Sequence, residues 1–290
     1  MKDKMDDWEK EGGTSPLPGA SHRRWSDFDF LRPKEAIRPR IYLSLTAFSV
    51  VTVLLGWIVL TYGGIVDEMF LPSPTTLLKT GWHLFATGEI FPHIWTSLYV
   101  VVVGFILAAL LAVPAGILMG SFKFVEALIE PIINFVRYLP VSAMIPLLIL
   151  WIGIGDVEKI AVIFLGTLFQ LTFLIADVSA NVPKELLQVA YTLGARKRDV
   201  TLRVLIPASL PGIMDNLRIT MGWAWTYLIV AELVSAEKGL GYMILQAMRG
   251  MQTDVIFVGL FVIGLLGLIT DQSFKYLTIW LLPWSEKASV

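Results

Sequence analysis

The chain has 290 residues and a formal net charge of −1; 56% of its residues are hydrophobic and only 16% are charged. Because soluble domains carry about 25% charged residues, this composition predicts a chain that is solvated largely by lipid. The chain contains no cysteine, which excludes disulfide scaffolds, cysteine metal sites and thiol catalysis. Its charge is near zero and it has no basic domain, so it does not have the composition of a nucleic-acid-binding protein.

Six apolar stretches are long enough to cross a membrane as helices, since a span needs about 20 apolar residues. They cover approximately residues 41–62, 94–119, 128–152, 160–180, 205–234 and 255–276. The predicted fold class is therefore an all-α membrane protein with about six transmembrane helices within residues 41–280. Residues 1–40 are predicted to be a polar tail with an interfacial helix at 25–40, and residues 281–290 a short C-terminal tail.

Lysine and arginine are concentrated in two segments that share one side of the membrane if there are six spans. These are the tail before the first span and the loop at 181–204, with Arg32, Lys34, Arg38, Arg40, Lys184, Arg196, Lys197, Arg198 and Arg203. The loops on the other side hold few basic residues. The positive-inside rule then predicts that both termini and the 181–204 loop are cytoplasmic. On the opposite side, Phe70-Leu71-Pro72-Ser73-Pro74 predicts a turn, and 75–85 a short amphipathic helix.

Small residues recur at every fourth position of the second span and form one stripe on a helix. They are Gly104, Ala108, Ala112, Gly116 and Gly120. Such a stripe lets a neighbouring backbone approach closely in lipid, although membrane helices in general are rich in glycine and alanine. Pro114, Pro140 and Pro146 lie within or beside spans and predict kinks or breaks.

Polar residues predicted at membrane depth are candidates for a translocation path, because burying such groups in lipid is costly. The candidates are Arg137, Tyr138, Gln170, Asp177, Arg218, Trp225 and Glu232. Arg218, Trp225 and Glu232 are spaced by seven residues, so they share one face of the fifth span. Two interpretations remain open for this stripe. It lines a polar path, or Arg218 and Glu232 extend to opposite membrane edges.

The loop between the fourth and fifth spans is more apolar than a solvated loop should be. Leu186, Leu187, Val189, Ala190 and Leu193 give its first helix an apolar face, Gly194 permits a turn, and Pro207 marks the entry to the next span. An apolar face on a loop that is predicted to be cytoplasmic indicates a partner surface or an internal packing contact.

This loop resembles the characteristic cytoplasmic loop of ABC importer permeases, with the pattern E-A-A, three residues, G, nine residues, I, one residue, L-P. Gln188-Val189-Ala190 stands for E-A-A, Gly194 for the glycine, Val204 for the isoleucine and Ile206-Pro207 for L-P. Gln for Glu and Val for Ala are departures. Segments 70–74, 116–120, 145–155 and 217–241 are similar to the branch that imports nitrate, taurine, alkanesulfonates and bicarbonate, so the resemblance covers roughly residues 65–280.

The resemblance implies a type I importer permease fold in which a coupling helix docks on a separate ATPase subunit. The residues it assigns to coupling are Leu187, Gln188, Val189, Ala190, Leu193, Gly194, Ala195, Arg196 and Pro207. It also implies a second permease copy in a homodimer, two cytoplasmic ATP-binding subunits, an extracytoplasmic solute-binding protein and a location in the bacterial inner membrane. ATP and Mg²⁺ would be held by the partner subunits and no cofactor by this chain.

Two other classes of protein are less consistent with the sequence. The chain has no phosphate-binding G-x-x-x-x-G-K motif, so it is not expected to hydrolyse ATP itself. A secondary transporter or channel would fit the spans but would leave the apolar loop unexplained. An intramembrane enzyme is disfavoured because His22, His83 and His93 have no metal-ligand spacing.

Overall fold

The computed structural model describes residues 39–235 and 237–284. Nearly all of the predicted N-terminal tail, including most of its interfacial helix, and residues 285–290 lie outside the described residues. The described part of the chain is helical and contains no strand. Its helices are α1 (Pro39–Tyr62), α2 (Pro74–Thr87), α3 (Ile90–Ser121), α4 (Lys123–Val136), α5 (Val141–Ile152), α6 (Asp156–Ala180), α7 (Lys184–Thr192), α8 (Lys197–Val200), α9 (Ile206–Ser235), α10 (Leu240–Arg249) and α11 (Thr253–Leu281), with a π-helical turn, Thr201–Leu205, between α8 and α9.

The chain divides into two compact units, Met1–Gly56 and Trp57–Val290. The described part of the first unit is residues 39–56, the beginning of α1, where all side chains are exposed. Its apolar residues therefore have the surface expected of a helix in contact with lipid.

Four described helices are long and apolar enough to cross a membrane: α1, α3, α6 and α11. The pair α4 and α5 adds a fifth if its two bent halves form one span. The remaining predicted span corresponds to α9, which has 30 residues but is less apolar than these four. Five of the six predicted spans thus correspond to single helices, and the third does not.

The third predicted span, 128–152, is broken in the structure. Two helices occupy this stretch, and their axes differ in direction by 92°. The chain turns at Arg137–Pro140, where Leu139 N–H bonds to the carbonyl of Val136 at 3.0 Å and Pro140 is extended. A proline lacks an amide donor and disfavours helical geometry in the residue before it, so the break falls where Pro140 predicted one.

The stripe of small residues on α3 lies against α6. Gly104, Ala108, Ala112 and Gly116 are buried. A Cβ added at Gly116 would lie 2.7 Å from the Thr172 carbonyl oxygen, and one at Gly104 would lie 2.9 Å from Ile163 Cβ. The two helix backbones therefore approach as closely as glycine allows.

The second unit is completed by α9, α10 and α11, which pack around this pair. Val101 and Phe105 of α3, Ile163 of α6 and Leu228 of α9 share one buried cluster. A second cluster joins Ile90 at the start of α3 to α10 and α11. The α3–α6–α9 core thus forms a scaffold on one side of which α5 packs, through Ile145 and Leu148.

Candidate functional site

The loop 181–207 is built as a short helix, a glycine turn and a second short helix. Gly194 has φ of +81°, which side-chain-bearing residues rarely adopt. Its amide donates to the carbonyl of Tyr191 at 2.9 Å, and the amide of Ala195 donates to the carbonyl of Ala190 at 3.1 Å. These are the two hydrogen bonds of a Schellman motif, and they fix the end of α7.

The apolar side chains of α7 are turned outwards. Leu193 is 83% exposed, Val189 59% and Leu186 48%, whereas Leu187 and Ala190 are half-buried. Gln188 and Arg196 are exposed, and Ala195 is half-buried. An exposed apolar face on a charged loop is typical of a surface that a partner covers.

Behind this surface the chain enters α9 through the π-helical turn Thr201–Leu205. Leu205 is buried, and Pro207, which has no amide donor, lies two residues after the end of the π-helical turn. Such π-turns are uncommon and occur often at functional sites. The loop is thus continuous with a long membrane helix.

A cavity of about 420 Å³ lies between the α4–α5 turn, α6 and α9. Arg137 and Tyr138 line it from the turn, and Gln170 lines it from α6. Three of the predicted path residues are therefore brought together at one cavity. Tyr227, Thr226 and Val230 of α9 form another wall.

Arg137 is held between aromatic rings. Its guanidinium carbon lies 3.8 Å from the ring centroid of Phe173 and 4.9 Å from that of Tyr138. One Nη donates to the hydroxyl of Tyr138 at 3.1 Å. Stacking of this kind stabilises a guanidinium without neutralising its charge.

Arg218, Trp225 and Glu232 do not line this cavity. Arg218 Nε pairs with Asp271 Oδ1 of α11 at 2.6 Å. Trp225 is 4% exposed, and its Nε1 donates to Thr270 Oγ1 of α11 at 3.3 Å. Within the described residues, this part of the stripe connects α9 to α11.

Glu232 is fully buried and caps α10. Its Oε2 accepts from the amide of Gly241 at 2.7 Å, and its Oε1 accepts from the Ser97 hydroxyl at 2.7 Å. Ser97 Oγ in turn accepts from the amide of Leu240 at 2.9 Å, and His93 Nδ1 accepts from the amide of Gly239 at 3.2 Å. Side chains of α3 and α9 thus satisfy the first amides of α10.

Asp177 lies apart from the other path candidates. It is exposed near the end of α6, and its Oδ1 accepts from Asn181 Nδ2 at 3.2 Å. With Glu126 and Glu130 it lines a smaller cavity of about 240 Å³. No group of three histidine, aspartate or glutamate side chains in the described ranges is arranged to hold a metal ion.

Several buried or cavity-lining residues were not predicted from the sequence. Tyr227 and Gly166 form part of the larger cavity, where a Cβ on Gly166 would lie 2.7 Å from the Tyr227 ring. Lys159, in the first turn of α6, is 2% exposed and pairs with Asp156 at 2.6 Å. The spacing of Gly166 and Gln170, one helical turn apart, was a signal that could have placed Gly166 on the face of Gln170.

Residues 112–280 match the family model of the binding-protein-dependent transport system inner membrane component. The chain is 37% identical over 246 residues to a probable ABC transporter permease protein of Brucella abortus, covering 85% of this chain and 97% of that protein. It is 36% identical over 228 residues to the putative aliphatic sulfonates transport permease protein SsuC of Bacillus subtilis, covering 79% and 83% of the two chains. It is 30% identical over 247 residues to the taurine transport system permease protein TauC of Escherichia coli, covering 83% and 90%.

Among solved structures, an inward-facing MetNI methionine ABC transporter has a chain of the same fold. The TM-score is 0.55 at 19% sequence identity, and the match covers 64% of this chain and 95% of that one. The resemblance found in the 181–207 loop is therefore confirmed, together with the type I permease fold. The chain belongs to the family of binding-protein-dependent transport system inner membrane components, as a multi-pass ABC importer permease of the branch that contains SsuC and TauC.

Proposed function

We propose that this chain is the membrane subunit of an ATP-driven importer for a small solute, an anion such as nitrate, bicarbonate or an alkanesulfonate, or the sulfonate-bearing zwitterion taurine. The printed names of two relatives, an aliphatic sulfonates permease and a taurine permease, support this substrate class. Two copies would form the pathway. Two cytoplasmic ATP-binding subunits would hold ATP and Mg²⁺, and an extracytoplasmic binding protein would deliver the solute. Both termini and the 181–207 loop would face the cytoplasm, as the distribution of lysine and arginine indicates.

The exposed apolar surface of α7 is the observation that carries this proposal. Leu186, Val189 and Leu193 lie outwards beside the basic residues Arg196 and Arg198. A groove on an ATPase subunit would cover these side chains and remove their apolar area from water. The Gly194 turn would set the angle at which α7 enters that groove.

Transport would follow from a shift between two conformations of the assembly. ATP must bind more tightly to the outward-facing form than to the inward-facing form, because a ligand with equal affinity for both forms shifts nothing. The π-turn and α9 would carry the movement of α7 into the membrane region. Arg137, Tyr138 and Gln170 would border the path, with Asp177 near its cytoplasmic end.

The test is co-purification of the full chain, expressed with the genes next to its own, followed by reconstitution in lipid nanodiscs. We expect an ATPase subunit to co-purify and its ATP hydrolysis to rise when a solute-loaded binding protein is added. Purification of the chain alone, with solute movement in liposomes that needs no ATP, would instead support a secondary transporter or channel.

A further inference from the structure

The larger cavity has the size and lining of a small-molecule site. Its volume of about 420 Å³ falls in the range that ligand pockets in proteins occupy. Its walls are mostly aliphatic and aromatic, from Ile145, Val162, Leu165, Phe169 and Val230. Ser142, Gln170 and Tyr227 supply the polar groups. A few polar groups within apolar walls are typical of sites that orient a ligand.

The charge in the lining of this cavity is positive. Of the described residues that line it, Arg137 is the one with a charged side chain. Arg137 makes no ion pair within the described part of the chain, whereas Arg218 and Lys159 each pair with a carboxylate. An unneutralised guanidinium in an apolar cavity favours an anionic ligand, since the low dielectric strengthens their attraction.

One donor of the guanidinium also has no protein acceptor in the described part of the chain. Arg137 Nε is buried and has no acceptor among the described residues, while one Nη is used by Tyr138. Buried polar groups in folded proteins nearly always have a partner, so this guanidinium has fewer protein acceptors than is usual. The Phe173 and Tyr138 rings contact the guanidinium and fix its orientation before any ligand arrives.

The position of the cavity supports the same conclusion. It opens at the break between α4 and α5, next to the beginning of α5 and against the middle of α6. Solute sites in membrane transporters are commonly formed at broken helices near the middle of the bilayer. Val141 and Ser142, in the first turn of α5, line the cavity beside Arg137.

We propose that this cavity is a solute subsite for a small organic monoanion, in which Arg137 receives the sulfonate or carboxylate group and the aliphatic wall receives the carbon chain. This inference rests on the proposed import function and narrows it, because an inorganic anion such as nitrate would leave the apolar wall without a partner. Gly166 contributes by allowing the Tyr227 ring, which forms part of the cavity wall, to lie close against α6.

The absence of cysteine allows a direct test with one introduced thiol. Ser142→Cys places an exposed thiol in the cavity wall. The full chain in phosphatidylcholine nanodiscs is treated with two methanethiosulfonate reagents of similar size, one ending in ethylsulfonate and one in ethyltrimethylammonium. The ratio of their reaction rates cancels any change in the reactivity of the thiol itself.

We expect the ratio of the anionic to the cationic reaction rate to be about tenfold higher in Ser142→Cys than in the double variant that also carries Arg137→Gln. A difference of this size is what one nearby positive charge would give. The matched control is Arg249→Gln, which removes an exposed arginine outside the cavity and should leave the ratio unchanged. Pentane-1-sulfonate should slow the anionic reagent at concentrations at which nitrate has little effect.

Three results would overturn the inference. A ratio that Arg137→Gln does not change would remove the role of Arg137. Equal protection by nitrate and pentane-1-sulfonate would remove the preference for an organic anion. Loss of protection by pentane-1-sulfonate when phosphatidylglycerol is added to the nanodiscs would assign the cavity to a lipid headgroup instead. None of these measurements needs an ATPase, so failure of the import function would be seen separately, in co-purification.

Discussion

Glu232 shows how a single buried carboxylate can connect three helices. Its two oxygens accept from Ser97 of α3 and from the amide of Gly241 in α10, while its own backbone belongs to α9. Gly239 and Gly241 have no side chains that would displace it, and a Cβ on Gly241 would lie 2.7 Å from Glu232 Cβ. The beginning of α3, the end of α9 and the beginning of α10 are thus joined at one residue.

We expect Glu232→Ala to destabilise the folded chain and Glu232→Gln to be much milder. Alanine leaves the amide of Gly241 buried without an acceptor, at a cost of about 1–3 kcal/mol, and adds a cavity. Glutamine keeps one oxygen acceptor in the same volume. The measurement is the melting temperature of the purified chain in detergent, and equal losses for both variants would contradict the capping role.

The sequence placed Arg218, Trp225 and Glu232 on one face of a helix but could not identify their partners. Asp271, Thr270 and Ser97 are separated from them by 45 residues or more, and helical periodicity carries no information about such distant contacts. Gln170 and Arg137 were found because polar residues in an apolar stretch stand out. Gly166 and Tyr227 were missed because neither breaks the apolar pattern.

At the scale of elements, α3 and α6 approach each other closely, and the glycines at their contact can be tested. Gly116→Ala would place a Cβ 2.7 Å from a backbone carbonyl, so the helices must move apart at a cost of about 1–3 kcal/mol. Gly264→Ala in α11 is the matched control, since a Cβ there meets nothing within 4 Å. The control should be neutral or up to about 1 kcal/mol more stable, because alanine favours helix.

Thermal melting in detergent compares the two alanine variants directly. A Gly116→Ala chain as stable as the control would mean that α3 and α6 can separate freely, and the stripe would then reflect composition rather than packing.

The turn after α7 makes a separate prediction about coupling. Gly194→Val introduces a β-branched residue at φ of +81°, where it is strongly strained, while Gly194→Asn is tolerated better in that region. We expect the valine variant to lose most solute-stimulated ATP hydrolysis in nanodiscs and the asparagine variant to keep more of it. Both should remain folded, since a Cβ on Gly194 meets no atom within 4 Å. Full stimulation with Gly194→Val would refute the role of the turn.

The third predicted span shows which features of an element could be predicted from the sequence. Apolar residues are continuous enough there to suggest one helix, and Pro140 correctly marked the weak point. The size of the bend was not predictable, because a proline permits angles from a mild kink to a complete break. Packing of Ile145 and Leu148 against α6 and α9 holds the direction of α5.

At the scale of the whole molecule, the bent pair decides the topology in the membrane. The helices α4 and α5 have 14 and 12 residues, so each is about 21 or 18 Å long, short of the roughly 30 Å hydrocarbon core. With axes 92° apart they can cross together, each inclined to the membrane, or enter and leave on the same side. In the first case the 181–207 loop lies on the opposite side from α2, and in the second it lies on the same side.

Two introduced thiols distinguish these arrangements. Thr87→Cys is exposed at the end of α2, and Thr192→Cys is exposed at the end of α7. In spheroplasts, we expect a membrane-impermeant thiol reagent to label the Thr87 variant and to leave the Thr192 variant unlabelled until the cells are lysed. The concentration of lysine and arginine in the 181–204 loop favours this outcome, because such loops remain in the cytoplasm. Labelling of both variants in intact spheroplasts would mean that α4 and α5 form a re-entrant segment, and α7 could not then reach a cytoplasmic ATPase.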